Sequence, residues 1–249
     1  MAWRTPARTH SSTSVLQNVA AMAPVVVMSP IVCRVRIEIW SDVVCPWCYI
    51  GKRRFDTALA NIAAKGNTEP IEVIYRSYQL DPGAPVTGAT PVIDAYAKKF
   101  GGRERAEQIL SHLTTVAAGD GLTFNMDIAQ RANTMTAHRI LCWVLTIHGP
   151  EIQARVKEAF LAAYFTDGVN IGDVENLLSI CSSLELDVVA LRNWLDEHQG
   201  TDEVAADIKG AAMRDITAVP TYVINDQFMI PGAQDVELFE RVLSKMLNL

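Results

Sequence analysis

Val35-Arg36-Ile37-Glu38-Ile39-Trp40-Ser41-Asp42-Val43-Val44-Cys45-Pro46-Trp47-Cys48 decides how this chain folds. Val35, Ile37 and Ile39 alternate with Arg36, Glu38 and Trp40, the period of a strand. A short loop follows, and Cys45-Pro46 opens a helix. Proline suits a first helical turn because its missing N–H would have no partner there. The helix runs through Phe55 and Leu59 to Lys65, and Gly66 stops it. Residues 71–79, Ile-Glu-Val-Ile-Tyr-Arg-Ser-Tyr-Gln, form a second strand. A strand, a helix and a strand in this order imply a parallel pair.

The two cysteines therefore sit at a strand-to-helix junction. Unpaired N–H groups and the positive end of the helix dipole favour a thiolate at Cys45. Cys48 lies one turn inside, within reach of a mixed disulfide on Cys45, as thiol–disulfide exchange requires. Half of a zinc site is the competing reading, but the sequence offers no second close pair of ligands. Inert structural cysteines are the third. Cys142 and Cys181 fall on apolar helix stripes and are expected in the core, and Cys33 lies outside the periodic chain. An odd total of five does not suit a secreted disulfide framework.

Beyond the second strand, Pro82, Gly83, Pro85 and Gly88 mark a turn. Thr90-Pro91 then begins a long helical stretch, interrupted at Gly101-Gly102. Leu141, Val144, Leu145 and His148 share one face. So do Ile152, Val156, Ala159, Phe160 and Ala163, and then Val174, Leu177, Leu178 and Cys181 behind Asp173 as a cap. Val188, Leu191 and Leu195 make another stripe. Strands return at Thr221–Ile224 and Gln227–Ile230 around an Asn225-Asp226 turn, before a last amphipathic helix with Phe239, Val242, Leu243 and Met246. The expected domains are a leader at 1–34, one domain from 35–80 and 206–249, and a helical insertion at 81–205.

The 249 residues are 49% hydrophobic and 20% charged, ample for a core and unlike collagen, disordered chains or disulfide scaffolds. No apolar run reaches the roughly 20 residues of a membrane span. A net charge of −6 argues against nucleic-acid binding. Residues 1–36 hold Arg4, Arg8, Arg34 and Arg36 and no acid. With Ser, Thr and Ala, this resembles a targeting segment, or else an untethered leader with Met22 or Met28 as alternative starts.

Val219-Pro220 precedes the third strand, a position open to proline. A cis bond there would free the Val219 backbone to pair with an extended substrate; a trans turn is the plainer reading. Taken with the cysteine pair, the chain resembles the DsbA family of the thioredoxin superfamily, in its FrnE-like branch. The matching segments are Ser41 to Lys52, Tyr75 to Pro82, Asn133-Thr134, Ala137-His138-Arg139, Ala163-Tyr164-Phe165, Val219-Pro220 and Gly232-Ala233-Gln234. Ala218 and Thr221-Tyr222 depart from the branch, which bears on substrate preference.

The resemblance implies an α/β thioredoxin fold with an inserted all-helical domain. It also implies the nucleophile at Cys45, the resolving thiol at Cys48 and a cis proline at Pro220. Glu38 resembles the buried acid that moves protons beneath such sites, although Asp42 stands closer to Cys45 and is a candidate helix cap. Trp47 brings no positive charge between the cysteines, which implies a less oxidising disulfide. His138 is a candidate cleft residue. Gln234 and Asp235, at the mouth of the last helix, match the region that holds glutathione in glutathione-binding relatives, with Asp235 also a plain cap.

The expected activity is thus thiol–disulfide oxidoreduction or isomerisation on proteins or small thiols in the cytoplasm. No metal or tightly bound cofactor is expected, and glutathione is a candidate co-substrate. No nucleic-acid or membrane partner is expected, and the protein is a monomer or homodimer. A glutathione-dependent isomerase resembling 2-hydroxychromene-2-carboxylate isomerase is one alternative, and a holdase-type chaperone is the other.

Overall fold

The alternating residues form β1 (Val35–Ser41), and the junction leads into α1 (Pro46–Ala64), closed by Gly66 in the left-handed region. These come from a computed structural model that describes residues 1–2 and 35–248. The leader reading and Cys33 lie outside the described residues. β2 (Ile71–Ser77) pairs parallel with β1 in register from Val35↔Ile71 to Ser41↔Ser77.

Between β2 and the next strand of the sheet lies the helical block. A two-stranded ribbon, β3 (Thr90–Pro91) with β4 (Gln130–Arg131), brackets α2 (Val92–Phe100) and α3 (Arg103–Gly119). Then come α4 (Met135–His148), α5 (Pro150–Phe165), α6 (Val174–Ser183), α7 (Val188–Asp196) and α8 (Thr201–Met213). Asp173 caps α6 by accepting from Glu175 N–H, as its position predicts. The ribbon was not legible: two residues per strand are too few for periodicity to register.

The chain returns through β5 (Thr221–Ile224) and β6 (Phe228–Pro231), turning at Asn225 and Asp226, both with positive φ, and ends in α9 (Val236–Leu247). The sheet order is β2-β1-β5-β6, with β5 antiparallel to both β1 and β6. This is the thioredoxin fold with an inserted helical block. The boundary expected at 205/206 falls inside α8, which is one unbroken helix.

Strand alternation divides the packing. Val35, Ile37 and Ile39 point to one face, where Phe55 and Ile62 of α1 and Phe239 and Leu243 of α9 cover them. Trp40 points the other way, packs with Ala211 of α8, and donates its indole N–H to the Asp207 carbonyl at 2.9 Å. The helical block has its own core, which reaches α1: Tyr49 stacks on Phe124, and Phe124 on Phe165. Each such side chain contributes about 1.5–3 kcal/mol through burial, so the insertion and the start of α1 are held as one. Cys181 is buried in that core. Cys142 corrects the expectation: it is only half-buried, with Sγ 3.9 Å from Ser77 Oγ.

Candidate active site

Cys45 occupies the N-cap position of α1, with φ −88° and ψ 115°. Its carbonyl accepts from the N–H groups of Cys48 and Tyr49 at 3.0 and 3.3 Å, which fixes both thiols on the first turn. The Cys45 thiol donates to the Val219 carbonyl at 3.5 Å. The Val219–Pro220 bond is cis. The Pro220 carbonyl accepts from Gly232 N–H at 2.7 Å, tying this loop to the end of β6.

Neither cysteine stands in open solvent: Cys45 is 3% exposed and Cys48 2%. A groove of about 520 Å³ supplies the access. Cys45, Pro46, Trp47, Leu80 and Val219 line it, and α2 and α3 close its far side; Cys48 does not line it. The two thiols therefore differ by which one borders the groove rather than by exposure. Trp47 is 39% exposed at its rim.

The electrostatics correct the expectation for Cys45. Its hydrogen bond with Cys48, its burial and the charge on Cys48 push the Cys45 thiol up, and the Cys48 N–H offsets only part of this. Burial also opposes a charge on Cys48, but the Cys45 thiol, Lys157 and Ser41 outweigh it and hold Cys48 down. A pair that shares one proton loses its first easily and its second with difficulty. Here the charge is favoured on Cys48 and opposed on Cys45.

Two buried charges stand behind the pair. Lys157 of α5 is 1% exposed, and its Nζ lies 3.4 Å from the Ser41 carbonyl and 5.9 Å from the centre of the Tyr75 ring. Burial pulls its pKa down to about 8, against the pull of Cys48 and Asp42. Asp42 is fully buried. Its Oδ1 accepts from Val43 N–H at 2.8 Å and lies 3.1 Å from His138 Nε2; its Oδ2 accepts from Leu80 N–H at 2.8 Å. Burial alone would raise the Asp42 pKa, but His138, Leu80 N–H and Lys157 hold it below its usual value.

Asp42 therefore does not cap α1, and Glu38 does not lie under the thiols. Glu38 sits in the middle of β1, one residue out of phase with the inward-facing Ile37 and Ile39. Its carboxylate is bound by Arg76 and, at 3.2 Å, by Arg36. Burial opposes its charge, yet these arginines lower its pKa. His138 corrects the cleft reading: it is 1% exposed, faces Asp42 and does not line the groove. Gln234 donates to the Pro231 carbonyl at 2.5 Å. Asp235 holds the N-cap position of α9 without a side-chain cap bond and lies 3.6 Å from Arg54. Neither borders the groove.

Lys157 was missed. The readable signal was Gln153 and Lys157, four residues apart on α5 amid Val156, Phe160 and Leu161: two polar side chains on a buried face. Gln153 has a structural reason, bonding both the N–H and the carbonyl of Tyr75 at 2.9 Å. Among the described residues, no His, Cys, Asp and Glu group of three or more is placed to hold a metal, and no helix is long and apolar enough to cross a membrane.

A cysteine pair on the first turn of α1, beside the loop before β5 of this sheet, defines a thioredoxin-fold protein of the thiol–disulfide oxidoreductase class. The chain belongs to the DSBA-like thioredoxin domain family, whose model matches residues 36–244. It is 30% identical over 223 residues to the uncharacterized protein YwbO of Bacillus subtilis (strain 168), covering 84% of this chain and 96% of that one. It is 32% identical, with a TM-score of 0.76, to the crystal structure of a "probable DsbA oxidoreductase" of Streptomyces coelicolor, covering 86% of this chain and 90% of that one. The fold is also similar to 2-hydroxychromene-2-carboxylate isomerase, with a TM-score of 0.57 at 16% identity over 85% of this chain and 95% of that one.

Proposed function

We propose that the protein exchanges disulfides through Cys45 and Cys48, as a FrnE-like member of its family working in the cytoplasm. The observation that carries this reading is that Cys45 alone of the pair borders the groove, with Cys48 on the same first turn of α1, its N–H donating to the Cys45 carbonyl at 3.0 Å. As a substrate disulfide enters, Cys48 takes the Cys45 proton, and the Cys45 thiolate attacks one sulfur. The substrate S–S bond breaks, a Cys45–substrate disulfide forms, and the first substrate thiolate leaves. Cys48, once deprotonated, attacks Cys45 and releases the second. The substrate gains two electrons and the one remaining thiol proton, leaving as a thiol and a thiolate that takes its own proton from water, and the cysteines become a disulfide. Run backward, the same steps donate a disulfide.

Disulfide- or thiol-bearing proteins and small thiols are the substrate classes, with glutathione as a co-substrate matched in scale by a groove of this size. Retention of the second thiol favours exchange over glutathione-dependent isomerisation. The test is insulin-disulfide reduction by the wild type, Cys45→Ser and Cys48→Ser, with non-reducing gels of the products. Cys48→Ser should accumulate mixed disulfides at Cys45, and Cys45→Ser should lose activity without trapping. Full activity in Cys45→Ser would overturn the assignment, and aggregation suppression surviving in the double Cys→Ser variant would favour the chaperone reading instead.

A further inference from the structure

The groove beside Cys45 is uneven in charge. Trp47, Leu80, Tyr96 and Phe100 make it largely apolar, while one face of α3 presents Arg105, Gln108 and His112 at helical spacing. No Asp or Glu lines it. Arg105 is exposed and forms no ion pair among the described residues; its Nη1 donates to Gln108 Oε1 at 3.3 Å. On the same helix, Arg103 is neutralised by Asp94 at 3.5 Å and Glu107 at 3.1 Å. A chain of net charge −6 thus lines the groove that holds its nucleophile with an uncompensated guanidinium and, among the described residues, no acid.

From this juxtaposition we infer that the groove selects small disulfides and thiols that carry a carboxylate near the sulfur, with Arg105 as the anion anchor. The inference rests on the thiol–disulfide reading above and names the substrate charge which that reading leaves open. A guanidinium offers a planar fork that matches a carboxylate, and apolar side chains around it leave room for the short methylene arm leading to sulfur. A groove of about 520 Å³ suits a small molecule. The chemistry is the exchange already described: the anionic disulfide gains two electrons and one thiol proton and leaves as a thiol and a thiolate that is protonated by water, and Cys45 and Cys48 close.

The test uses the reduced full chain and two aliphatic disulfides of opposite charge, 3,3′-dithiodipropionate and cystamine, at low ionic strength. Oxidation of the pair is followed by counting the protein's own free thiols after the small thiols have been removed. Because the two disulfides differ in intrinsic reactivity, each variant's rate is divided by the wild-type rate with the same compound. Arg105→Gln should slow dithiodipropionate about fivefold, the scale of a solvent-exposed charge pair, and leave cystamine unchanged or faster. Arg105→Lys should recover part of the loss. Arg103→Gln removes the same charge from the same helix outside the groove and should change neither. Equal effects of Arg105→Gln on both compounds, or the same selective loss in Arg103→Gln, would overturn the anchor. Wild type that reduces insulin but neither small disulfide removes this inference alone; wild type that reduces none of the three removes the oxidoreductase reading with it.

Discussion

Asp42 Oδ1 lies 3.1 Å from His138 Nε2, with both side chains sealed from solvent. A strand end beside the cysteines is thereby joined to α4 through a buried charge that has donors on both oxygens. Asp42→Asn keeps the shape, loses the charge and leaves one amide edge facing a donor. Hydrogen bonds to a buried charged group are each worth about 1.5–3 kcal/mol, so a clear drop in urea midpoint is expected. Since the Asp42 charge also helps to push the Cys45 thiol up, alkylation of Cys45 should move to lower pH in this variant. A variant as stable as wild type would show that the pair does not hold the two elements together.

Acid should remove the same contribution. The Asp42 pKa in the fold is below its ordinary value of 3.8, so the unfolded chain takes up a proton first as pH falls. The stabilisation is complete above about pH 4 and fades as pH drops through the folded value. Wild-type stability should therefore fall more steeply below pH 4 than that of Asp42→Asn. Parallel curves would rule out the linkage.

Lys157 is expected to trade stability for thiol chemistry. Its folded pKa of about 8 lies below the ordinary 10.5, so holding it charged costs stability below pH 8. That cost disappears as pH rises from about 8 to the ordinary value, because the unfolded chain then holds the proton the fold has released. Lys157→Met should leave the melting temperature at neutral pH equal or higher. It should also shift the first thiolate, followed by absorbance near 240 nm, to higher pH, because Cys48 loses its cation. An unchanged thiolate titration would separate Lys157 from the pair.

Thiol labelling should follow access. Iodoacetamide should reach Cys45 first, through the groove it lines. Half-buried Cys142, its thiol pushed up to about 11 by burial, should follow slowly. Cys181, buried and pushed up to about 12, should label only on unfolding. Peptide mapping that finds Cys48 ahead of Cys45 would mean that charge, rather than access, sets the order.

Gly51 is where α1 packs closely on the Pro220 loop and β5. A Cβ added there would stand 2.7 Å from Tyr222 Oη and 3.0 Å from Pro220 Cγ. Overpacking of this kind costs about 1–3 kcal/mol, so Gly51→Ala should destabilise. The Tyr222 hydroxyl is buried without a hydrogen-bond partner among the described residues, so Tyr222→Phe should be neutral or stabilising and should rescue part of the Gly51→Ala loss. Strict additivity in the double variant would show that the two positions do not meet.

The parallel pair, the junction helix and the closing hairpin were legible because each is a local pattern: alternation, a proline in a first turn, a helix-stopping glycine. So was the placement of Cys45 and Cys48 on one helical turn. Glu38 was misplaced because alternation fixes which side of a strand a residue takes but not what waits there; Arg76 and Arg36 do. His138 lies on a helix whose stripe is readable, but its partner, Asp42, is far away in sequence. Lys157 reaches the Ser41 carbonyl, at the end of β1, only when α5 packs on β2.

The sequence alone determined the order of the longer elements, the sheet's first crossover and the reactive pair, because short-range sterics and hydrophobic period act within a few residues. Tertiary structure decided where the charges lie. It set Asp42, His138 and Lys157 behind the thiols and Arg105 across the groove from them. A buried charge is stable only beside its partners, and those partners come from helices that meet only when the cores close.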